Sequence, residues 1–401
     1  MKTSNLENIS DYVTEKIELK NLNNKTYIST ENILPNKAGV INATTLPNIK
    51  CTSAFQKGDV LVSNIRPYFK KIWQATFAGG CSNDVLVFRA KNGINNEFLY
   101  YILSDDKFFE YSMSTAKGTK MPRGDKNSLM KYEIPDFDFE TQQKIAKVLC
   151  AIDDKIELNN SINNNLEQQA QALFYEIYNN GKCGTIGNIL EIIETGSRPK
   201  GGALTHGVPS IGAENINGFG VYDYSKDKFI SAEFYNKLNR GIVKSKDVLL
   251  YKDGAYTGKV SMTLDDFPHK QCAVNEHVFL LRTNKLATQF FLYFCLLDNS
   301  NRQKIHTLAC GKAAQPGLNQ NELKSVPIKI PNIEYIINFD ITVTPIMKQI
   351  ANNAKEKQKL AQLRDTLLPK LMNGEIDVSK VEIDDILENQ SSDKLLFSED
   401  K

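Results

Sequence analysis

The sequence predicts an α+β protein in which a globular mixed α/β domain followed by one long helix occurs twice. Three observations predict this organisation. An apolar seam with helical spacing runs through residues 145–177. The same seam returns 194 residues later, as from Ile145 to Phe339. The blocks that precede the two seams also resemble each other. A repeat of about half the chain length indicates two pseudo-symmetric lobes rather than a solenoid.

The seam alternates steps of four and three residues, which is the spacing of a coiled coil. An Asn matches an Asn, Asn159 with Asn353. The first copy comprises Ile145, Leu149, Ile152, Ile156, Asn159, Asn163, Leu166, Ala170, Leu173 and Ile177. The second copy comprises Phe339, Val343, Ile346, Ile350, Asn353, Lys357, Leu360, Arg364, Leu367 and Leu371.

The globular blocks repeat more loosely. "KGDVLVSNIRP" at 57–67 matches "SKDVLLYKDGA" at 245–255, and "NNEFLYYILSDD" at 95–106 matches "ATQFFLYFCLLDN" at 287–299. A glycine loop and an Ile-Pro pair then lead into each long helix. Short β-branched runs such as "DVLVSNI", "NDVLVFRA", "KDVLLYKDG" and "NEHVFLLRT" predict strands. The predicted blocks are a first domain at 1–140, a first helix at 141–179, a second domain at 180–335 and a second helix at 336–374.

Local signals set the predicted ends of the helices. Asn179, Asn180 and Gly181 end the first helix, and Asn373 with Gly374 end the second. Pro345 predicts a break in the second helix, with Thr344 as the cap of a new helix that begins at the proline. The remaining segment, 375–401, holds nine acidic and three basic residues and is predicted to be disordered.

Composition and the absence of targeting patterns indicate the cellular compartment. The 401 residues are 41% hydrophobic and 24% charged, as in ordinary globular proteins. The longest apolar run, 290–297, is too short for a membrane span, and the N-terminus lacks the apolar core of a signal peptide. Seven cysteines occur without a CxxC pair, which favours a reducing cytoplasm. The net charge of +2 includes the acidic tail, so the rest of the chain is mildly basic.

Several segments resemble the specificity subunits of type I restriction–modification systems. The first-helix segment "YEIPDFDFETQQKIAKVLCAIDDKIELNN" and the second-helix ending "KLAQLRDTLLPKLMNGEIDV" resemble the spacer helices of that family. "ETGSRPKGG", "GVPSIGAENING", "KDVLLYKDGAYTGK" and "YISTENI" resemble pieces of its target recognition domains. "IPNIEYIINFDITVTP" departs from the family because it lacks the acid-Gln pair expected where the second helix begins.

The resemblance implies two target recognition domains separated by a pair of long antiparallel coiled-coil helices. It also implies a subunit that reads a split sequence in double-stranded DNA and binds two adenine-N6 methyltransferase subunits. A restriction (motor-nuclease) subunit joins in restriction complexes, whereas some relatives work with a methyltransferase alone, and the sequence leaves both open.

Catalytic signatures are missing from the sequence. No Pro-Pro pair is present for an adenine methyltransferase loop, and Pro135, Asp136 and Glu140 lack the lysine of a nuclease site. "GAYTGKV" at 254–260 is one residue short of a phosphate-binding loop and predicts a tight turn. His269, Cys272 and His277 lack a fourth zinc ligand. We therefore expect no catalytic residue, no metal and no cofactor.

Basic residues in glycine-containing loops form the predicted DNA-binding surface, because glycine lets the backbone approach phosphates and cations displace counterions. Arg and the amides of Gln and Asn can also read bases. The first domain contributes Arg66, Tyr68, Lys70, Lys71, Lys117, Lys120, Arg123 and Lys126. The second contributes Arg198, Lys200, Lys252, Tyr256, Lys259, Lys312, Gln315 and Asn319, with Gln320 beside it.

The sequence therefore predicts a non-enzymatic reader of DNA sequence within a methyltransferase or restriction complex. Two alternatives remain at this level: a coiled-coil adaptor that binds only proteins, and a stand-alone DNA enzyme.

Overall fold

The computed structural model describes residues 2–254, 256–311 and 317–378. Lys312, Gln315 and most of the predicted disordered tail, from 379 onward, lie outside the described residues. The chain forms two compact units. The first contains the chain up to Lys155 and again from Lys359, and the second contains Ile156–Gln358.

The first unit contains two four-stranded sheets and a short two-stranded one. Its strands are β1 (Thr3–Asn5), β2 (Ser10–Tyr12), β3 (Lys16–Glu18), β4 (Tyr27–Ile28), β5 (Cys51–Phe55), β6 (Val60–Ser63), β7 (Ile72–Gln74), β8 (Gly79–Cys81), β9 (Val85–Ala90) and β10 (Glu133–Pro135). Its short helices are α1 (Leu6–Ile9), α2 (Asn96–Ser104), α3 (Asp106–Ser114) and α4 (Lys126–Leu129).

Two long helices, α5 (Phe139–Tyr178) and α11 (Ile333–Met372), each have 40 residues and contribute to both units. The second unit adds β11 (Lys182–Thr185), β12 (Leu190–Thr195), β13 (Val208–Ile211), β14 (Phe229–Ile230), β15 (Val248–Tyr251), β16 (Val260–Met262), β17 (Ala273–Val274), β18 (Val278–Thr283) and β19 (Pro327–Ile330). Its short helices are α6 (Ile186–Ile189), α7 (Ala232–Asn236), α8 (Gln289–Leu297), α9 (Asn299–Cys310) and α10 (Gln320–Ser325).

The units share one sheet order, which confirms the predicted pseudo-symmetry. The main sheet runs β2-β9-β6-β7 in the first unit and β12-β18-β15-β16 in the second. The four strands predicted from β-branched runs occupy its two central positions, where burial on both faces favours such residues. The second sheet of each unit contains one parallel pair, β4 with β8 and β13 with β17. After β4 and β13, Ser29 and Gly212 donate their backbone N–H to the side chains of Asn32 and Asn215.

Helix caps also recur at equivalent positions. Asp105 and Asp298 accept first-turn backbone N–H groups at the start of α3 and α9. Asp125 and Asn319 do the same at the start of α4 and α10. Side-chain oxygens at these positions satisfy donors that a helix leaves open, so matched polar residues start matched helices.

The two long helices pack antiparallel within each unit. In the second unit, Lys357 donates to Asn160 (2.8 Å) and Asn353 donates to Asn163 (2.8 Å), so positions rise in one helix as they fall in the other. In the first unit, Arg364 pairs with Asp153 (2.8 Å). These pairs place residues near 161 and 355 opposite each other in the two helices. No helix among residues 2–254, 256–311 and 317–378 could span a membrane.

The matched seam residues Asn159 and Asn353 each bond to the opposite helix, and no hydrogen bond joins them to each other. Asn159 is 2% exposed and donates to Glu356 (2.8 Å), while Asn353 is 5% exposed and bonds to Asn163. Apolar seam residues are buried in both units. They include Ile145, Leu149, Ile152, Phe339, Val343, Ile350, Leu360, Leu367 and Leu371, with Ile156, Leu166, Leu173 and Ile346 half-buried.

The predicted break at Pro345 is wrong, because α11 passes through the proline without interruption. The preceding Thr344 hydroxyl donates to the Asp340 carbonyl (2.6 Å). Ile341, whose carbonyl would accept from residue 345, is 67% exposed, so water can reach that carbonyl. Hydration of that carbonyl offsets the hydrogen bond that the proline cannot donate.

Candidate nucleic-acid interface

In the first unit, the two basic segments predicted separately lie side by side. The backbone N–H of Arg66 donates to Pro122 O (2.8 Å), and Ile65 forms a β-bridge with Arg123. Lys117 and Arg123 exchange backbone hydrogen bonds of 2.9 and 3.0 Å, which close a tight turn between them. The turn includes Gly118 at φ 92°, a conformation that favours glycine. One continuous basic surface results.

Several cations of this surface are already paired with acids. Arg123 contacts Asp84 (3.0 Å) and Lys117 contacts Asp125 (2.5 Å), and both pairs are largely exposed. The hydrogen bond from Lys117, together with those from Ser128, lowers the pKa of Asp125 to about 2. These two cations are therefore held in place before any ligand arrives.

Three other predicted cations behave differently. Lys120 and Lys126 are exposed, and their ammonium groups have no hydrogen-bond or ion-pair partner within the described part of the chain. Lys71 is turned inward, since its ammonium donates to the Thr30 carbonyl (2.5 Å) and its burial lowers its pKa. Lys120, at the tip of the turn, is thus the cation most available to a phosphate.

Left-handed backbone is concentrated beside this surface. Arg66, Lys70, Asn36 and Lys37 have φ values of 52, 49, 56 and 60°. The N–H groups of Asn36 and Lys37 donate to the carbonyls of Phe69 (2.9 Å) and Lys70 (3.0 Å). Such conformations are costly away from glycine and cluster at functional sites. Sequence reasoning missed Asn36 and Lys37, because no glycine or motif marks them.

The side chains around this strained segment divide into paired and unpaired groups. Lys70 (2.7 Å) and Lys37 (2.9 Å) both contact Asp106. Burial raises the pKa of Asp106, but the hydrogen bonds and charges of the two lysines outweigh burial and the net shift is downward. Arg66 instead carries a buried Nε without any partner among the residues described, beside the exposed ring of Tyr68. A buried donor without a partner costs free energy, so this arginine adds to the strain of the segment.

The second unit repeats this backbone framework. Asp253 forms a β-bridge with Gly317 at the positions of Ile65 and Arg123. The N–H of Lys252 donates to His277 O (3.1 Å), matching that of Asn64 to Asp84 O (2.8 Å) in the first unit. The two predicted basic segments of this unit are therefore also joined at their bases.

The glycine turn after β15 presents Tyr256 and Lys259. Gly254 and Gly258 have φ values of 115 and 98°, and the N–H of Gly258 donates to Tyr251 O (2.9 Å). The prediction of a tight turn is confirmed. The Lys259 ammonium lies 4.5 Å from the centre of the Tyr256 ring, which is 63% exposed. An aromatic ring and a cation are thus displayed together.

The remaining predicted residues of the second unit have varied surroundings. Lys252 pairs with Asp253, and Arg198 lies 3.7 Å from Glu276. Lys200 is exposed and has no ion-pair partner among the described residues. Asn319 caps α10 through its side-chain oxygen (2.9 Å), so that atom is committed to the helix.

The histidines and cysteine considered for zinc do not converge. His269 bonds to Asp227 (3.1 Å), whereas His277 bonds to Asp253 (3.2 Å), and Cys272 is buried. Within the described residues, no group of three or more potential ligands could hold a metal ion.

Comparison with known proteins identifies the class. The family model for the type I restriction modification DNA specificity domain matches the chain twice, over residues 2–168 and 181–364. The chain belongs to this family. It is accordingly a specificity subunit, the non-catalytic component of a type I restriction–modification complex, which recognises the DNA sequence and assembles with the other subunits.

Individual relatives agree with this assignment. The chain is 25% identical over 456 residues to the type I restriction enzyme HindI specificity subunit of Haemophilus influenzae, covering 94% of this chain and 99% of that protein. It is 26% identical over 315 residues to the MjaIX specificity subunit of Methanocaldococcus jannaschii, covering 73% and 71%. The crystal structure of the type I restriction–modification S subunit from M. genitalium has the same fold, with a TM-score of 0.57 at 15% identity over 92% of this chain and 96% of that one.

Proposed function

We propose that this subunit reads a split target in double-stranded DNA, one half with each unit. The observation that carries the proposal is the β-bridge that joins two basic segments in both units, Ile65 with Arg123 and Asp253 with Gly317. Two equivalent loop pairs on one chain supply two DNA-contacting surfaces, as a target of two parts requires.

The side chains on the shared framework differ between the units, which supports two different half-sites. Counting along the repeat, Gly254 stands at the position of Arg66, Gly317 at that of Arg123 and His277 at that of Asp84. Arginine donates two hydrogen bonds to guanine in the major groove, whereas glycine reads no base. Because the two units share a backbone framework but carry different side chains, we expect the two half-sites to differ in sequence.

We further infer that the subunit positions two adenine-N6 methyltransferase subunits on the DNA, in the cytoplasm, and in restriction complexes a motor-nuclease subunit. The methyltransferase subunits would supply catalysis and its cofactor. The antiparallel pair of α5 and α11 would set the length of unread DNA between the half-sites.

A domain exchange tests the split target. Residues 181–335 are replaced by the equivalent segment of a relative with a known target, and methylated sites are mapped in cells. One half of the target should change while the other half and the gap remain. The matched control exchanges residues 1–140 and should change the other half only. A change of both halves in either exchange would contradict one reader per unit, and unaltered methylation in both would favour a protein-binding adaptor.

A further inference from the structure

A polar cleft of about 490 Å³ lies in the second unit beside the DNA-facing turn. One wall is the turn itself, at Thr257 and Gly258, and the other is the exposed face of α9, at Arg302, Gln303 and His306. None of the seven residues that line the cleft is acidic. Gly258, at φ 98°, brings the two walls together, because a side chain there would lie 3.4 Å from Ile305.

The positive charge of the cleft comes from Arg302. The Arg302 guanidinium has no hydrogen bond or ion pair to any residue the structure describes, although the residue is half-buried. Two other arginines of the same unit are paired with carboxylates, Arg282 with Asp247 (2.6 Å) and Arg198 with Glu276 (3.7 Å). Arg302 therefore lines an open cleft and has no hydrogen-bond partner for its guanidinium among the described residues.

At the equivalent position the first unit has an acid, which is paired with lysines. Its α3 begins with Asp106, at the position of Asn299 in α9, and Asp106 holds Lys37 and Lys70. There the two ammonium groups share one carboxylate as their partner within the protein. In the second unit the acid is replaced by an amide, Asn299, which lines the cleft. With Asn299 in place of the acid, the lining of the cleft contains no carboxylate to pair with Arg302.

We propose that this cleft binds a phosphate of the DNA backbone, held by Arg302 with the hydroxyl and amide groups around it. The proposal rests on the proposed function, since the Tyr256–Lys259 turn beside the cleft is part of the predicted DNA surface. A guanidinium donates two parallel hydrogen bonds to a phosphate, and the absence of carboxylates in the lining removes repulsion. Phosphate contacts of this kind fix the orientation of the protein on DNA without reading sequence.

Two charge-matched variants test the site. Arg302→Gln and Lys304→Gln each remove one positive charge from α9. The Lys304 ammonium points away from the cleft and donates to Asn301 (3.2 Å) and the Pro327 carbonyl (3.2 Å). Affinity for a duplex with the mapped target is measured against salt concentration, using the full chain as isolated with its partner subunits. Thermal melting verifies that each variant is folded.

For Arg302→Gln we expect the slope of log K against log salt to become shallower by about 0.9, which is roughly an eightfold loss of affinity at 0.1 M salt. The loss should be equal for target and non-target duplexes. Lys304→Gln should leave both quantities unchanged, and Arg302→Lys should restore the slope.

The possible results distinguish a failure of the phosphate site from a failure of the proposed function. If the unsubstituted complex did not bind its mapped target, both would be wrong. If it bound while Arg302→Gln and Lys304→Gln behaved alike, the phosphate site would be wrong and the proposed function would stand. A loss confined to targets with one particular base would also overturn the phosphate site, since it would mean that Arg302 reads a base.

Discussion

Replacing Asp59 with Ala should destabilise the first unit and leave the second intact. Asp59 is 1% exposed and accepts two hydrogen bonds from Arg89, at 2.8 and 2.9 Å, and one from the Gln56 N–H at 2.8 Å. Breaking a buried pair from one side costs about 3–5 kcal/mol. Because the Arg89 side chain is 26% exposed and keeps Glu15 at 3.0 Å, the lower end, about 3 kcal/mol, applies.

Hydrogen exchange can report each unit separately. A loss of about 3 kcal/mol speeds exchange through unfolding by about 150-fold. The amides of β6 and β9 should show this change, and those of β15 and β18 should not. The mirror variant, Asp247→Ala, removes the equivalent partner of Arg282 and should reverse the pattern. Asp84→Ala breaks only the exposed pair with Arg123 and should cost under about 1 kcal/mol. Equal acceleration in both sheets, or less than tenfold in β6 and β9, would refute this reasoning.

Three further predictions concern DNA. Replacing Lys117, Lys120 and Arg123 by Ala should lower the salt slope of DNA binding by between about 0.9 and 2.7, since Lys120 is unpaired and the other two are held by acids; an unchanged slope would make this a solvated loop. Arg123→Ala alone should alter base preference in one half-site, as measured by binding to a duplex library. A heptad inserted after Ser161 and after Ala354, which lie opposite each other in the helix pair, should lengthen each helix by about 10 Å and widen the unread gap by about three base pairs. Methylation mapping would contradict the last prediction if the gap stayed the same at full activity.

Periodicity was sufficient to predict α5 and α11, because a seam of ten positions leaves few alternatives to a coiled coil. The central strands were predictable for a similar reason, as continuous β-branched runs suit a sheet buried on both faces. Pro345 was misjudged because its cost depends on whether solvent reaches the Ile341 carbonyl, which a sequence does not reveal.

The candidate surface was only partly predictable. Glycine and lysine mark the loops, but the bridge of Ile65 to Arg123 is a contact between distant segments and leaves no local pattern. The ion partners of Lys117 and Arg123 are likewise set by tertiary structure. Arg302 could not be singled out, because its role depends on a cleft between a turn and a helix about 45 residues apart.

We propose that this chain directs adenine methylation to a split DNA sequence. Mapping methylated adenines in cells with and without the gene tests it most directly. We expect one target made of two specific half-sites with a fixed unread gap, methylated only when the chain is present. Adenine methylation that is identical in both cell lines, or confined to a continuous target, would contradict it.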